Sequence, residues 1–310
     1  MELPQDSSWQ RWLAGLDDYA RNNKSVALGL GLSLLAIFAL LTQSLLQIAS
    51  GEAAPGVRNA LLGGLAGFVA TSIGALPALV LRGIPQKLED SLLGMAAGMM
   101  LAASAFSLIL PGLAAGAEIL GNKGLGAGVV VIGMALGVLL MLGLDRFTPH
   151  EHDKTGPCGP GYERCGRVWL FVFAVALHNL PEGMAIGVSF AQNDLSVGLP
   201  LTMAIALQDI PEGLAVALAL RTIDFSTGKA VLVAAASGLL EPLGALLGVG
   251  LSSGLELAYP TGLGLAAGAM IFVVSHEVIP ETHRNGHQTP ATLGLMLGFA
   301  LMMVLDTTLG

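Results

Sequence analysis

Two hexapeptides concentrate the chemistry of this chain: "HNLPEG" at residues 178–183 and "QDIPEG" at 208–213, thirty positions later. Both lie inside apolar runs. Helical spacing puts His178 and Glu182 one turn apart on one face, and Gln208 and Glu212 likewise on the next helix. Asn179 and Asp209 sit about 100° around from them. Pro181 and Pro211 cannot donate to the carbonyls of Leu177 and Leu207, so each helix is expected to kink at its polar cluster and expose backbone oxygen. Gly183 and Gly213 remove bulk beside each Glu. A fourth acid, Glu241, precedes Pro242 in a later apolar run.

These acids are expensive. An ionised residue at the centre of a spanning helix costs about 2.5–3.5 kcal/mol, so Glu182, Asp209 and Glu212 together cost roughly 8–10 kcal/mol. No Lys or Arg lies inside an apolar run to pair with them. The compensating charge must be a proton or a metal cation. Nitrogen and oxygen donors without a thiolate suit Zn²⁺, Fe²⁺, Mn²⁺ or Cd²⁺ and argue against Cu⁺. Met100, on another apolar run, is either a soft thioether ligand or packing.

The elements that hold these residues are membrane helices. The chain has 310 residues, 54% hydrophobic and 12% charged, against about 25% charged in a soluble domain. It divides into nine apolar runs of spanning length, near 25–49, 57–81, 88–112, 124–147, 168–191, 197–220, 229–253, 260–282 and 290–309. They lack the alternation of barrel strands, so the fold class is an all-α polytopic membrane protein. The first run is read as a retained helix, because 24 residues precede it, Asp17 and Asp18 among them, and it exceeds a signal core in length. With residues 1–24 cytoplasmic, twelve of the fourteen Lys and Arg face the cytoplasm and only Arg58 and Lys123 face outward. The net charge of −8 sits in loops and a few buried positions, and nothing points to nucleic acid. Cys158 and Cys165 fall in the cytoplasmic loop 148–167, where a reducing compartment disfavours a disulfide. His150, His152 and His283 share that side, as an ordinary solvated loop or as a low-affinity metal hand-off point.

Internal likeness gives the organisation. "AAGMM" at 96–100 recurs as "AAGAM" at 266–270, an offset of 170. "GVLLMLGLD" at 137–145 recurs as "GFALMMVLD" at 298–306, an offset of 161. "GALP" at 74–77 aligns with "LLEP" at 239–242, an offset of 165. Spans two to four thus match spans seven to nine. A separation of five spans makes the copies cross in opposite senses, the inverted repeat of many secondary transporters. The expected layout is a cytoplasmic segment 1–24, an extra helix 25–49, a first three-helix repeat 57–147, a loop 148–167, a central metal-binding pair 168–220 and a second, inverted repeat 229–310. Near the cytoplasmic half, Asp145, His276, Glu277 and Asp306, with His150 and His152, are candidates for an exit path. The alternative for His276 and Glu277 is a buried pair satisfied locally.

The doubled motif resembles the signature of the ZIP (Zrt/Irt-like) divalent metal transporters, closest to the bacterial GufA-like branch. The resemblance covers residues 57–310, eight spans, with the first span outside the core. It implies a two-metal centre: one ion on His178, Glu182, Gln208 and Glu212, the second on Asn179, Asp209 and Glu241, with Glu182 and Glu212 bridging. It also implies homodimers, and an elevator motion of spans two, five, six and seven against three, four, eight and nine. Two features depart from the family pattern: Gln208 stands where many members have His, and the loop 148–167 is short and His-poor.

The function expected is uptake of Zn²⁺, or of Cd²⁺, Fe²⁺ or Mn²⁺, across a bacterial cytoplasmic membrane, with the metal as substrate and no catalytic cofactor. A membrane-embedded zinc hydrolase is the alternative. H-E-x-x-H is missing from the motif pair, and an inverted repeat serves no purpose in a hydrolase. A channel is disfavoured because so many ligands should hold an ion too tightly for rapid flow.

Overall fold

The computed structural model describes residues 55–147, 150–152, 156–158, 167–221, 225–252 and 256–309, with Thr42, Leu46 and Ser50 as isolated positions. The expected segment 1–24 and most of the first span lie outside the described residues, as does Cys165. Side chains from 145 to 177 are not described.

The helices in order are α1 (Pro55–Ala75), α2 (Gln86–Ala103), α3 (Leu110–Leu120), α4 (Lys123–Phe147), α5 (Arg167–Ser189), α6 (Leu195–Arg221), α7 (Thr227–Ser237), α8 (Leu240–Leu251), α9 (Ala258–Val273), α10 (Ile279–His283) and α11 (Gln288–Leu309). Wider π-helical turns, Ser104–Ile109 and Val274–Val278, join α2 to α3 and α9 to α10. Each precedes a helix with Pro in its first positions, Pro111 and Pro280. A proline has no N–H for the carbonyl four residues back and its ring crowds that carbonyl, so a widened turn relieves both. Among the described residues, seven helical segments, some of them joining two of these helices, are long and apolar enough to cross a membrane. α5, 23 residues long, has spanning length as well. His150–His152 and Gly156–Cys158 pair as a short antiparallel ribbon between α4 and α5.

In lipid there is little hydrophobic gain in packing one helix on another, so close backbone approach through small residues takes its place. Four helix pairs use it reciprocally. On α1 and α6, a Cβ on Gly74 would lie 2.1 Å from the Ile210 carbonyl oxygen, and one on Gly213 would lie 2.2 Å from that of Thr71. On α5 and α8, Gly244 meets the Leu180 carbonyl and Gly183 meets that of Glu241. On α2 and α11, Gly94 and Gly98 meet Ala291 and Leu295, while Gly294 and Gly298 meet Ser91 and Met95. On α4 and α9, Gly264 and Gly268 meet Val130 and Met134, while Gly133 and Gly137 meet Thr261 and Leu265. Successive contacts along each interface rise together in number (Gly63 on Thr202 then Gly67 on Asp209 for α1 and α6; Gly183 on Glu241 then Gly187 on Ala245 for α5 and α8), so every pair is parallel, as alternating spans require.

These contacts map onto one another. Adding 170 to positions in α1 and α2, 30 to α5 and 161 to α4 turns each contact of one half into a contact of the other. Where α1 and α8 touch, the order reverses: Gly64 faces Ala245, Gly67 faces Glu241, and Gly238 faces Thr71. The two halves are therefore inverted copies about a pseudo-two-fold axis. One register differs from the sequence expectation. The offset between α1 and α8 is 170, not 165, so Gly74 matches Gly244 and Thr71 matches Glu241. "GALP" and "LLEP" align prolines with different jobs: Pro77 sits in the 3₁₀ turn that follows α1, and Pro242 in the first turn of α8.

Candidate metal centre

α5 and α6 each run unbroken through their internal prolines, Pro181 and Pro211. Each helix thus keeps its polar cluster on a continuous frame. The seventh span is interrupted instead: α7 ends at Ser237 and α8 restarts at Leu240. Glu241 lies in the first turn of α8, where free N–H groups favour a carboxylate.

The elements α1, α5, α6 and α8 bring Glu182, Gln208, Asp209, Glu212 and Glu241 together. His178, Asn179, Glu182, Gln208, Asp209 and Glu241 are all buried, and Glu212 is half-buried. Glu182, Asp209 and Glu212 each offer an oxygen within 4.8 Å of the other two. Ligands around a tetrahedral Zn²⁺ lie about 3.3 Å apart, at bond lengths of about 2.0–2.2 Å, so a cation needs only a modest contraction of this triangle. Gln208 Nε2 donates to Glu182 Oε1. That leaves Gln208 Oε1 and Glu182 Oε2 without hydrogen-bond partners, together with Asp209 Oδ2 and Glu241 Oε2. Buried acceptors left open are costly and usually signal a missing partner. All four are acceptors, so what they lack is a hydrogen-bond donor or a cation. Among the described residues, no Lys or Arg forms an ion pair with these acids.

Two contacts were not anticipated. Thr71 Oγ1 donates to Glu241 Oε1 at 2.9 Å. His178 Nε2 lies 3.6 Å from Glu277 Oε2, which the widened turn after α9 carries. The corrected register could have signalled Thr71, since it is the repeat mate of Glu241. Glu277 was expected on an exit path, and the structure puts it beside His178.

The other predicted residues disperse. His276 is exposed, stacked on Phe272 with ring centroids 4.9 Å apart, rather than buried with Glu277. Asp306 accepts a hydrogen bond from Ser107 at 2.6 Å. Ser107 lies five residues before Gly112, which meets Leu263 early in α9, whereas Glu277 follows α9. Asp306 and Glu277 therefore lie on opposite sides of the bundle centre, and Asp306 does not join an exit path with His276 and Glu277. Asp145 ends α4, and His150 and His152 lie in the ribbon; their side chains are not described. Met100 is buried in the apolar cluster that includes Met99, Ala103, Leu201 and Ile205.

Comparison with known proteins agrees with this architecture. A family model described as ZIP Zinc transporter matches residues 149–306. The chain is 64% identical over 291 residues to "Zinc transporter ZIPB" of Bordetella bronchiseptica, covering 94% of both chains. It is 42% identical over 254 residues to "Zinc transporter GufA" of Myxococcus xanthus, covering 81% of this chain and 98% of that one. It is 36% identical over 250 residues to "Zinc transporter ZupT" of Corynebacterium glutamicum, covering 76% and 93%. With its inverted helical repeat, its doubled ligand motif and this likeness along most of its length, the chain belongs to the ZIP family, in its bacterial GufA-like branch.

Proposed function

We propose that this protein carries Zn²⁺ into the cytoplasm through a site that holds two ions. His178, Glu182, Gln208 and Glu212 hold the first; Asn179, Asp209 and Glu241 hold the second; Glu182 and Glu212 bridge. The observation that carries this reading is the set of buried carboxylates whose oxygens lack partners and which no Lys or Arg neutralises. Two divalent ions match the four negative charges, so the loaded site is near neutral and can cross a low-dielectric barrier. The names of the relatives favour zinc. Cd²⁺, Fe²⁺ and Mn²⁺ fit the same donors.

An elevator motion is supported by how the helices divide. Every glycine-mediated backbone contact lies either among α1, α5, α6 and α8 or among α2, α3, α4, α9 and α11; among the described residues none crosses between the groups. The glycine that does touch that boundary, Gly262, faces side chains, those of Ser252 and Val188. Such a surface can slide, whereas interlocked backbones cannot. The positive-inside bias supports a cytoplasmic N-terminus in the inner membrane, and the family resemblance implies a homodimer. Uptake of Zn²⁺, Cd²⁺, Fe²⁺ and Mn²⁺ into proteoliposomes, with and without Glu182→Ala, tests the reading. Wild-type protein accumulates zinc and the variant does not. Equal accumulation by both, or none by either, would refute it.

A further inference from the structure

We infer that Gly67 and Thr71 of α1 build the seat of the second ion: Gly67 makes room for the Glu241 carboxylate and Thr71 aims it. The inference rests on the two-ion reading above and adds two residues that the doubled motif does not contain.

The geometry converges on one spot. Glu241 Oε1 is occupied by the Thr71 hydroxyl at 2.9 Å. Glu241 Oε2 has no partner, and neither does Asp209 Oδ2. Both residues are buried, Glu241 at 0% and Asp209 at 2% exposure. Those two open oxygens meet at Gly67. A Cβ there would stand 1.5 Å from Glu241 Oε2 and 3.2 Å from Asp209 Oδ2. α1 therefore presents bare backbone to Glu241 Oε2, which fills the place a side chain would take, with Asp209 Oδ2 alongside it. Gly238 bounds the opposite side of the Thr71–Glu241 bond: its Cβ would lie 3.2 Å from Thr71 Oγ1 and 3.3 Å from Glu241 Oε1.

The inverted repeat explains the asymmetry. Thr71 is the mate of Glu241, so strict symmetry would place a second acid opposite the first. A hydroxyl there donates a hydrogen bond, whereas a carboxylate would add a fifth negative charge to a buried cluster. Thr71 is thus a positioning residue. Its bond to Oε1 fixes the carboxylate plane and leaves Oε2 free, which is how an outer partner commonly orients a metal ligand.

Gly67→Ala and Thr71→Val separate the two roles. The methyl of Gly67→Ala meets the far end of a side chain, so Glu241 swings aside and the helices stay packed. Thr71→Val keeps the shape and removes the donor. Calorimetric titration of detergent-solubilised protein with Zn²⁺ reads stoichiometry and both affinities. Wild type takes two ions. Gly67→Ala takes one, with the first affinity retained as evidence of folding. Thr71→Val weakens the second ion at least tenfold, and Thr71→Ser restores it. Wild-type affinities for both ions in Gly67→Ala would overturn the seat, and a wild-type second affinity in Thr71→Val would overturn the positioning role. A wild-type stoichiometry of one would refute the two-ion reading. The seat would then stand if Gly67→Ala weakened that single ion tenfold, and would fall if it did not.

Discussion

Gly183 offers a test in which the magnitude comes from the backbone. It closes the "HNLPEG" motif and faces α8, where an added Cβ would lie 2.2 Å from the Glu241 carbonyl oxygen and 2.7 Å from its Cα. Ordinary contact begins near 3.4 Å, and the atoms in the way are main chain, which cannot rotate aside. Gly183→Ala therefore pushes α8 back by about 1.2 Å, at an overpacking cost of about 1–3 kcal/mol. Glu241 moves with α8. Metal sites tolerate about 0.2 Å in ligand distance, so the second ion should bind about 10–100-fold more weakly, the usual loss when a ligand's support is disturbed. Gly298→Ala is the control. It meets the Met95 carbonyl at 2.0 Å, an equal insult on the α2–α11 pair, away from the acids. Thermal unfolding and zinc titration on the same preparations separate the effects. Both variants should lose thermal stability, and only Gly183→Ala should lose zinc affinity. If the two lose affinity equally, the site does not depend on the α5–α8 spacing and the reasoning fails.

Three further outcomes are expected. Glu212→Ala should nearly abolish zinc uptake while Asp209→Ala leaves a measurable rate, and the reverse order would undo the bridging and non-bridging roles. Zinc binding should release protons into a weak buffer, because acids this close and this buried cannot all stay ionised without a cation and ligands bind metal only when deprotonated. Apparent affinity should accordingly fall as pH drops from neutral to mildly acidic; a flat profile without proton release would mean that water or a monovalent cation balances the empty site. Glu277→Gln removes the carboxylate beside His178 and should weaken the first ion about tenfold, whereas unchanged titration would reduce that 3.6 Å contact to incidental packing.

Much of the centre was legible because its residue types are so misplaced. Acids in apolar helices have few bland explanations, and the thirty-residue repeat of the motif pairs His178 with Gln208, Asn179 with Asp209 and Glu182 with Glu212. Gly67 and Thr71 escaped notice for the opposite reason. Small residues in a membrane helix are ordinary, and a likeness between prolines pulled the register of α1 five positions away from the one that matches Thr71 to Glu241. Asp306 was misplaced by a different step. It shares a motif with Asp145, but an inverted repeat sends mates to opposite ends of the bundle, so the likeness itself separates the two. α5 and α6 run without a break through Pro181 and Pro211, and the chain breaks before Glu241, at Gly238 and Leu239. Glu277 reaches His178 from a widened turn, and that local change of helical period is not visible in hydrophobic patterning.

The central claim is that the buried acids hold two ions between α5, α6 and α8. Anomalous diffraction from crystals soaked in saturating Cd²⁺ or Zn²⁺ tests it most directly. Two peaks are expected about 3.5–4 Å apart, the spacing of ions that share carboxylates, one between Glu182 and Glu212 and the other beside Gly67 against Asp209 and Glu241. A single peak at saturation, or peaks only outside this cluster, would contradict the account.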